Sequence, residues 1–178
     1  EVTSLPGAAA CITALTLSGL PTRRFSFEAF LPKEKKERAA VLEELKNDTR
    51  TLIVYEAPHH LLGTLKELQN ALGDRRLTVC RELTKKFETA FQTTFSEAIR
   101  YYEEQGVRGE CVLVIEGRSR EELVQEAQQS WEAISVEEHM EHYLSTGMDR
   151  KSAMKQVAKD RGVGKREIYQ MLLKAENE

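Results

Sequence analysis

The sequence predicts an α/β domain, a mixed central sheet flanked by helices, over residues 1–132, followed by a small helical unit resembling a helix-turn-helix over 133–178. Short runs of β-branched and aliphatic residues alternate with amphipathic stretches as far as about Trp131, the pattern of a layered α/β domain. Beyond Ala133 only helical periodicity remains, punctuated by Gly147 and by the glycines of "RGVGKRE".

Taken in order, the turn at Pro6-Gly7 opens a helix from Ala8 to about Ser18, whose first turn of small residues suits close packing on a sheet, and Gly19-Leu20-Pro21 stops it. In "RFSFEAFLP", Phe25, Phe27 and Ala29 alternate with Ser26, Glu28 and Phe30, the period of a strand, which Pro32 ends. Ala39, Val41, Leu42 and Leu45 make one apolar stripe on the next helix. "TLIVY" is a buried strand, and "HLLGTLKELQNALG" is a helix stopped by Gly73. "RLTVCREL" and "FETAFQTTF" supply two more strands. "SEAIRYYEEQG" is a helix with Ser96 as its cap, "GECVLVIEG" is the last strong strand, and "SREELVQEAQQSW" returns to helix. Helices over about 136–144, 151–161 and 165–175 complete the chain, and Ala158, Val163 and Ile168 sit where a helix-turn-helix has its core.

A net charge of −3 over 178 residues gives no global pull toward nucleic acid, so such a partner needs a local basic surface. One exists: from Arg150 to Lys174 eight Lys or Arg stand against two acids, a local excess of +6 that includes Lys165 and Arg166. Cys11, Cys80 and Cys111 are far apart, odd in number and set among apolar neighbours. They read as reduced thiols of a cytoplasmic protein, with neither a disulfide framework nor a metal site. No apolar run approaches the roughly 18 residues of a membrane span. The sequence opens in mid-pattern without methionine, so a preceding segment is expected.

Three strands end in similar grammar: Tyr55-Glu56, Arg81-Glu82 and Glu116-Gly117. Were these strands parallel neighbours, three carboxylates and an arginine would gather along one sheet edge, where open α/β sheets bind ligands. A single such Glu can equally be a solvated or capping residue. The Pro6-Gly7-Ala8-Ala9 turn can present a helix start to an anion, or simply begin a helix. His59 and His60 are candidate bases, of which adjacency allows at most one a role. His139 and His142 have an i, i+3 spacing open to a metal, but with no third ligand nearby they read as a solvated face.

The segments "SLPGAAACITALTLSGLPTRRFSFEAFLPKEKKER", "RTLIVYEAPHHLLGTL", "CRELTKKFE" and "GECVLVIEG" together resemble the carboxyl-terminal half of the bacterial ribosomal RNA small-subunit methyltransferase I family. That family is a branch of the tetrapyrrole-methylase-like (class III) S-adenosylmethionine enzymes. The resemblance implies 2′-O-methylation of a cytidine ribose in 16S ribosomal RNA by a homodimer with two α/β domains and S-adenosylmethionine between them. The glycine-rich cofactor loops of the first domain have no counterpart in this sequence.

Carried over by motif, the cofactor wall involves Pro6, Gly7, Tyr55, Glu56, the backbone near Cys80, and Ile115, Glu116 and Gly117. Glu56 or Glu82 orients or deprotonates the ribose hydroxyl. Arg81 or Lys85 clamps a phosphate or carboxylate. Lys36 and Arg38 match basic positions of the family that meet an RNA backbone, or else form a solvated helix start. Two alternatives stay open: methylation of a tetrapyrrole ring by the same fold, and a non-catalytic nucleic-acid-binding module.

Overall fold

The computed structural model describes residues 2–175, which divide into two compact units on either side of the Arg118–Ser119 bond. The first contains α1 (Ala10–Ser18), β1 (Phe25–Phe30), α2 (Lys35–Leu45), β2 (Thr51–Glu56), α3 (Leu61–Leu72), β3 (Arg76–Arg81), β4 (Thr89–Thr94), α4 (Phe95–Gln105) and β5 (Cys111–Ile115). Its five strands form one mixed sheet in the order β1-β2-β5-β3-β4; β1 and β2 are parallel, and every other pair is antiparallel.

The central strands β2, β5 and β3 are apolar along most of their buried length because both faces are covered. Helix α1 covers one face, where Ala14, Leu15 and Leu20 meet Ile53, Cys80, Val112 and Val114. Leu61, Leu65 and Leu68 of α3, with Phe95 and Ala98 of α4, cover the other, over Leu52, Val54, Leu77, Val79, Leu113 and Ile115. The small residues at the start of α1 are exposed, contrary to the expected close packing; Ala14, fully buried in mid-helix, makes the close approach, with its carbonyl 4.0 Å from Cys80 Sγ. A left-handed Gly19 stops the helix as expected.

Two local expectations need correction. Helix α4 is capped by Thr94, whose hydroxyl accepts the Glu97 N–H at 3.4 Å. Ser96 lies inside the first turn, and its N–H and hydroxyl both donate to Asp74. Strand β1 does not alternate along its length: the register shifts between Phe27 and Ala29, and Ala29 takes a φ of 53°. The bulge brings Phe27 and Phe30 against the same ring, that of Tyr55, at 5.0 and 5.8 Å between centroids.

The second unit holds α5 (Arg120–Glu132), α6 (Val136–Ser145), α7 (Arg150–Asp160) and α8 (Lys165–Ala175). Its boundary falls one helix earlier than the expected 132/133. Helix α5 packs with the later helices: Trp131 stacks on His139 at 3.8 Å, and the Gln128 side chain lies against Gly162. Val136, Met140, Met154, Val157, Ile168 and Leu172 form the core, with Ala158 buried and Val163 half-buried as the helix-turn-helix pattern expects. Among the described residues no helix is long and apolar enough to cross a membrane.

His139 is fully buried, not on a solvated face. Arg161 Nε donates to its Nδ1 at 3.2 Å, which leaves the proton of the neutral ring on Nε2, 3.3 Å from Asp160 Oδ2. Burial, and then the Arg161 charge, lower its pKa against the opposing pull of Asp160. The unfolded chain therefore takes up a proton at this residue below about pH 6.5, where the folded unit resists it. Stability from His139 is complete above that pH and is lost as pH falls toward the lowered folded value. Trp131, the single tryptophan, reports this unit: its urea midpoint should drop between pH 7 and pH 5, and His139→Gln should flatten that dependence. An equally steep dependence in the variant would exclude His139 as its source.

Candidate functional site

Because β1, β2 and β3 run one way and β5 and β4 the other, Glu56 and Arg81 flank Cys111 at one edge of the sheet. The opposite edge carries Ile115, paired with Leu52 and Leu77. Four residues of strand, about 13 Å, separate the two rows. Glu116 and Gly117 therefore do not join the other carboxylates, and the expected gathering of three is reduced to Glu56 and Glu82.

Glu56 ends β2 on the face that α3 covers and is 7% exposed. Its Oε1 accepts the Ala57 N–H at 2.8 Å and its Oε2 accepts the Thr64 hydroxyl at 2.6 Å. Arg38 Nη2 donates to the same Thr64 oxygen at 2.8 Å, while Arg38 Nε binds Glu67 at 2.5 Å. Two sequence candidates, Glu56 and Arg38, are thus joined through a hydroxyl that the sequence analysis missed. The signal was available: Thr64 lies on the Leu61, Leu65, Leu68 stripe of α3 and is 2% exposed, a polar residue on an apolar face.

These groups line a cavity of about 740 Å³ whose wall also includes Phe30, Lys33, His59 and His60. Both histidines face it, with rings 4.1 Å apart, so adjacency does not separate them. The cavity combines one buried carboxylate with four groups that carry or can accept positive charge, an arrangement suited to holding a hydroxyl beside an anionic group. Arg38 is fastened at its rim and is not extended into solvent, whereas Lys36 is exposed on the first turn of α2.

Glu82 is held differently. It has a φ of 51°, and its Oε1 accepts both the Glu110 N–H at 3.3 Å and Lys85 Nζ at 3.2 Å. Its side chain lies so close over Gly109, itself at φ 78°, that a Cβ there would collide with it. Arg81 Nε donates to the Arg108 carbonyl at 3.0 Å. Arg81, Glu82 and Lys85 thus tie the end of β3 to the segment leading into β5. Between this cluster and Glu56 sits Cys111, whose thiol burial pushes up to about 12 despite Arg81. Burial likewise pushes Cys80 to about 11. Both are neutral thiols, not nucleophiles.

The residues assigned to a cofactor wall divide among several surfaces. Tyr55 lies on the α1 face with Phe27 and Phe30, which are 46% and 61% exposed, and burial followed by Cys11 raises its hydroxyl pKa. Pro6 and Gly7 are exposed ahead of α1, which starts at Ala10 behind an Ala9 N-cap that offers no side-chain hydrogen bond. The Cys80 side chain is shut beneath α1. Ile115 is fully buried, Glu116 is paired with Arg76, and Gly117 presses against the backbone of Thr49 and Arg50. Phe30 belongs to two surfaces at once, touching Tyr55 on the α1 face while lining the Glu56 cavity. Lys165 and Arg166 are exposed at the start of α8 in the second unit. Among the described residues, no three His, Cys, Asp or Glu side chains are arranged to hold a metal ion.

Comparison with known proteins gives these features a context. The family model for Tetrapyrrole (Corrin/Porphyrin) Methylases matches residues 1–99. Proteins named Ribosomal RNA small subunit methyltransferase I are similar to the chain: 46% identical over 168 residues in Halalkalibacterium halodurans and 48% over 168 in Bacillus subtilis, each covering 94% of this chain. The Synechocystis protein of that name is 40% identical over 177 residues, 99% of this chain. The chain spans 57% of the first two relatives and 62% of the third. Among solved structures, the cobalamin biosynthetic enzyme cobalt precorrin-4 methyltransferase CbiF has a TM-score of 0.50 at 17% identity, covering 63% of this chain and 50% of that one. The methyltransferase CobJ has a TM-score of 0.50 at 20% identity, covering 64% and 50%. These two share the fold. With the family model extending over more than half of its residues, the chain belongs to the tetrapyrrole (corrin/porphyrin) methylase family.

Proposed function

We propose that this chain is part of an S-adenosylmethionine-dependent ribosomal RNA methyltransferase that acts on the ribose 2′-oxygen of a cytidine in the small subunit. The observation that carries the reading is the double position of Phe30, which puts an aromatic strip and the Glu56 cavity side by side. A methyl transfer needs a donor and an acceptor aligned within bonding reach, and two adjoining surfaces on one sheet edge supply that alignment. S-adenosylmethionine, when bound, supplies a methyl group on a sulfonium that an oxygen can attack.

The residues present fit one wall for that donor. Tyr55, Phe27 and Phe30 offer an exposed aromatic surface to a purine, and the uncapped amides of α1 behind Pro6-Gly7 offer donors to a carboxylate. Across Phe30, Glu56 orients the acceptor hydroxyl or takes its proton, with Thr64 holding the carboxylate in place. Lys33 and Arg38 receive the neighbouring phosphate. Glu56 is preferred over Glu82 because it lines the cavity, whereas Glu82 serves to tie the end of β3 to Lys85 and the Glu110 amide. The names of the 40–48% identical relatives favour an RNA acceptor over a tetrapyrrole. The enzyme works as a homodimer in the cytoplasm, on the small ribosomal subunit.

The test is transfer of tritium from labelled S-adenosylmethionine to unmodified small subunits, by an enzyme carrying this chain at the length of its relatives. The label should appear at one cytidine, in a dinucleotide that resists alkaline hydrolysis. Label on a base, or transfer to a tetrapyrrole with none to RNA, would overturn the reading.

A further inference from the structure

The helical unit carries a second surface that the proposed chemistry does not use. Arg150, Lys151 and Met154 of α7 and Lys165, Arg166 and Tyr169 of α8 line an open groove of about 610 Å³. Each set has the i, i+3 and i, i+4 spacing that gathers side chains on one helix face. Ile168 and Leu172, buried in the core of the unit, fix the rotation of α8 and leave Tyr169 52% exposed. Among the described residues, Lys151, Lys165 and Arg166 form no salt bridge. Asp149, the nearest acid in sequence to Lys151, is engaged as the cap of α7 by the Lys151 and Ser152 amides.

The helix dipole does not favour these charges. The start of a helix is where its dipole disfavours cations, and α5 and α6 place two glutamates each in their first turns. Helix α7 places Arg150 and Lys151 there behind a single acid, the capping Asp149, and α8 places Lys165 and Arg166 ahead of Glu167. Four cations brought together around one exposed aromatic ring, in a chain of net charge −3, are complementary to an anion that also offers a flat face.

We propose that this groove binds an unpaired stretch of RNA: the four cations take phosphates on either side of one nucleotide, and Tyr169 stacks on its base. A ring of this kind reaches only a base that is already unstacked, so the surface selects single strands over duplex and tolerates any sequence. It deepens the proposed methyl transfer by giving the same RNA substrate a grip outside the site of reaction, and it rests on that reading only for the source of the RNA.

The test uses the 178-residue chain itself and fluorescence anisotropy of a labelled, unstructured ten-nucleotide RNA. Tyr169→Ala should weaken binding by roughly ten-fold or more, with Tyr169→Phe close to the parent. Lys165→Glu with Arg166→Glu should reduce the slope of log affinity against log salt by about 1.4, two single-strand phosphate contacts. Circular dichroism confirms that the helices of each variant remain. Equal affinity for a duplex of the same length, or tighter binding to anionic lipid vesicles than to RNA, would overturn the proposal, as would an unchanged Tyr169→Ala. No methyl transfer enters this measurement. Loss of RNA methylation in the longer enzyme with oligonucleotide binding intact sinks the catalytic reading alone; methylation with no Tyr169 effect sinks the groove alone.

Discussion

Glu56→Gln, in an enzyme of the relatives' length, is expected to reduce methyl transfer to small subunits about a hundred-fold or more, the size of a lost general-base or hydroxyl-orienting contribution. The substitution keeps shape and volume. The glutamine carbonyl can still accept the Ala57 N–H, and its amide nitrogen can donate to Thr64 Oγ1, reversing the sense of the present 2.6 Å bond. Thermal stability should therefore change little, by about 1 kcal/mol for one rearranged hydrogen bond. Thr64→Val separates positioning from chemistry: it removes the hydroxyl that holds Glu56 while leaving the carboxylate in place. It should lower kcat with little change in KM, and Thr64→Ser should restore most of the loss. Full activity of Glu56→Gln in the tritium assay would remove this carboxylate from the mechanism, and the Glu82 cluster would become the place to look.

Gly117→Ala is expected to cost the sheet unit about 3 kcal/mol, the upper part of the range for overpacking that forces a backbone shift. A Cβ there would lie 2.6 Å from the Thr49 carbonyl oxygen and closer still to that of Arg50. Neither obstacle can swing aside, because both are backbone. The crossing is pinned next door, where the Arg118 N–H donates to the Asp48 carbonyl at 2.7 Å and Asp48 also holds Arg50 at 2.6 Å. The resemblance assigns Gly117 to a cofactor wall, and the packing gives it a different reason to be glycine. Urea unfolding at unchanged m-value should show the loss, while donor affinity, measured where the variant is folded, stays at the parent level. Weakened donor binding with normal stability would reverse that assignment.

Strands were legible where, as in β2 and β5, the chain is a run of aliphatic residues, and helices where, as in α3, an apolar stripe ends at a glycine. The direction of β5 was not legible. "GECVLVIEG", like "RTLIVYEAP", is an aliphatic run followed by a glutamate, and a strand buried on both faces reads alike in either direction. That one ambiguity moved Glu116 and Gly117 to the wrong edge, since a reversed strand exchanges which terminus meets Glu56. Tyr55, Glu56 and Arg38 were found from motifs. Their connection through Thr64 depends on α3 docking with that residue inward, which a helical stripe permits but does not demand. His139 was misread for a related reason: a histidine beside glutamates on α6 looks solvated until Trp131, from the preceding helix, closes over it.

The bulge in β1 also means that Phe27 and Phe30, three positions apart, share a face that strict alternation would deny them. Glu28 is the residue that β2 leaves without a partner, so removing it would restore simple alternation with Phe27 still opposite Ile53 and Phe30 still opposite Tyr55. The face that Phe30 occupies would then no longer depend on the positive φ of Ala29. Glu28 is therefore a spacer that the rim absorbs, and the pairing with β2 decides which aromatic rings meet there more than the length of β1 does.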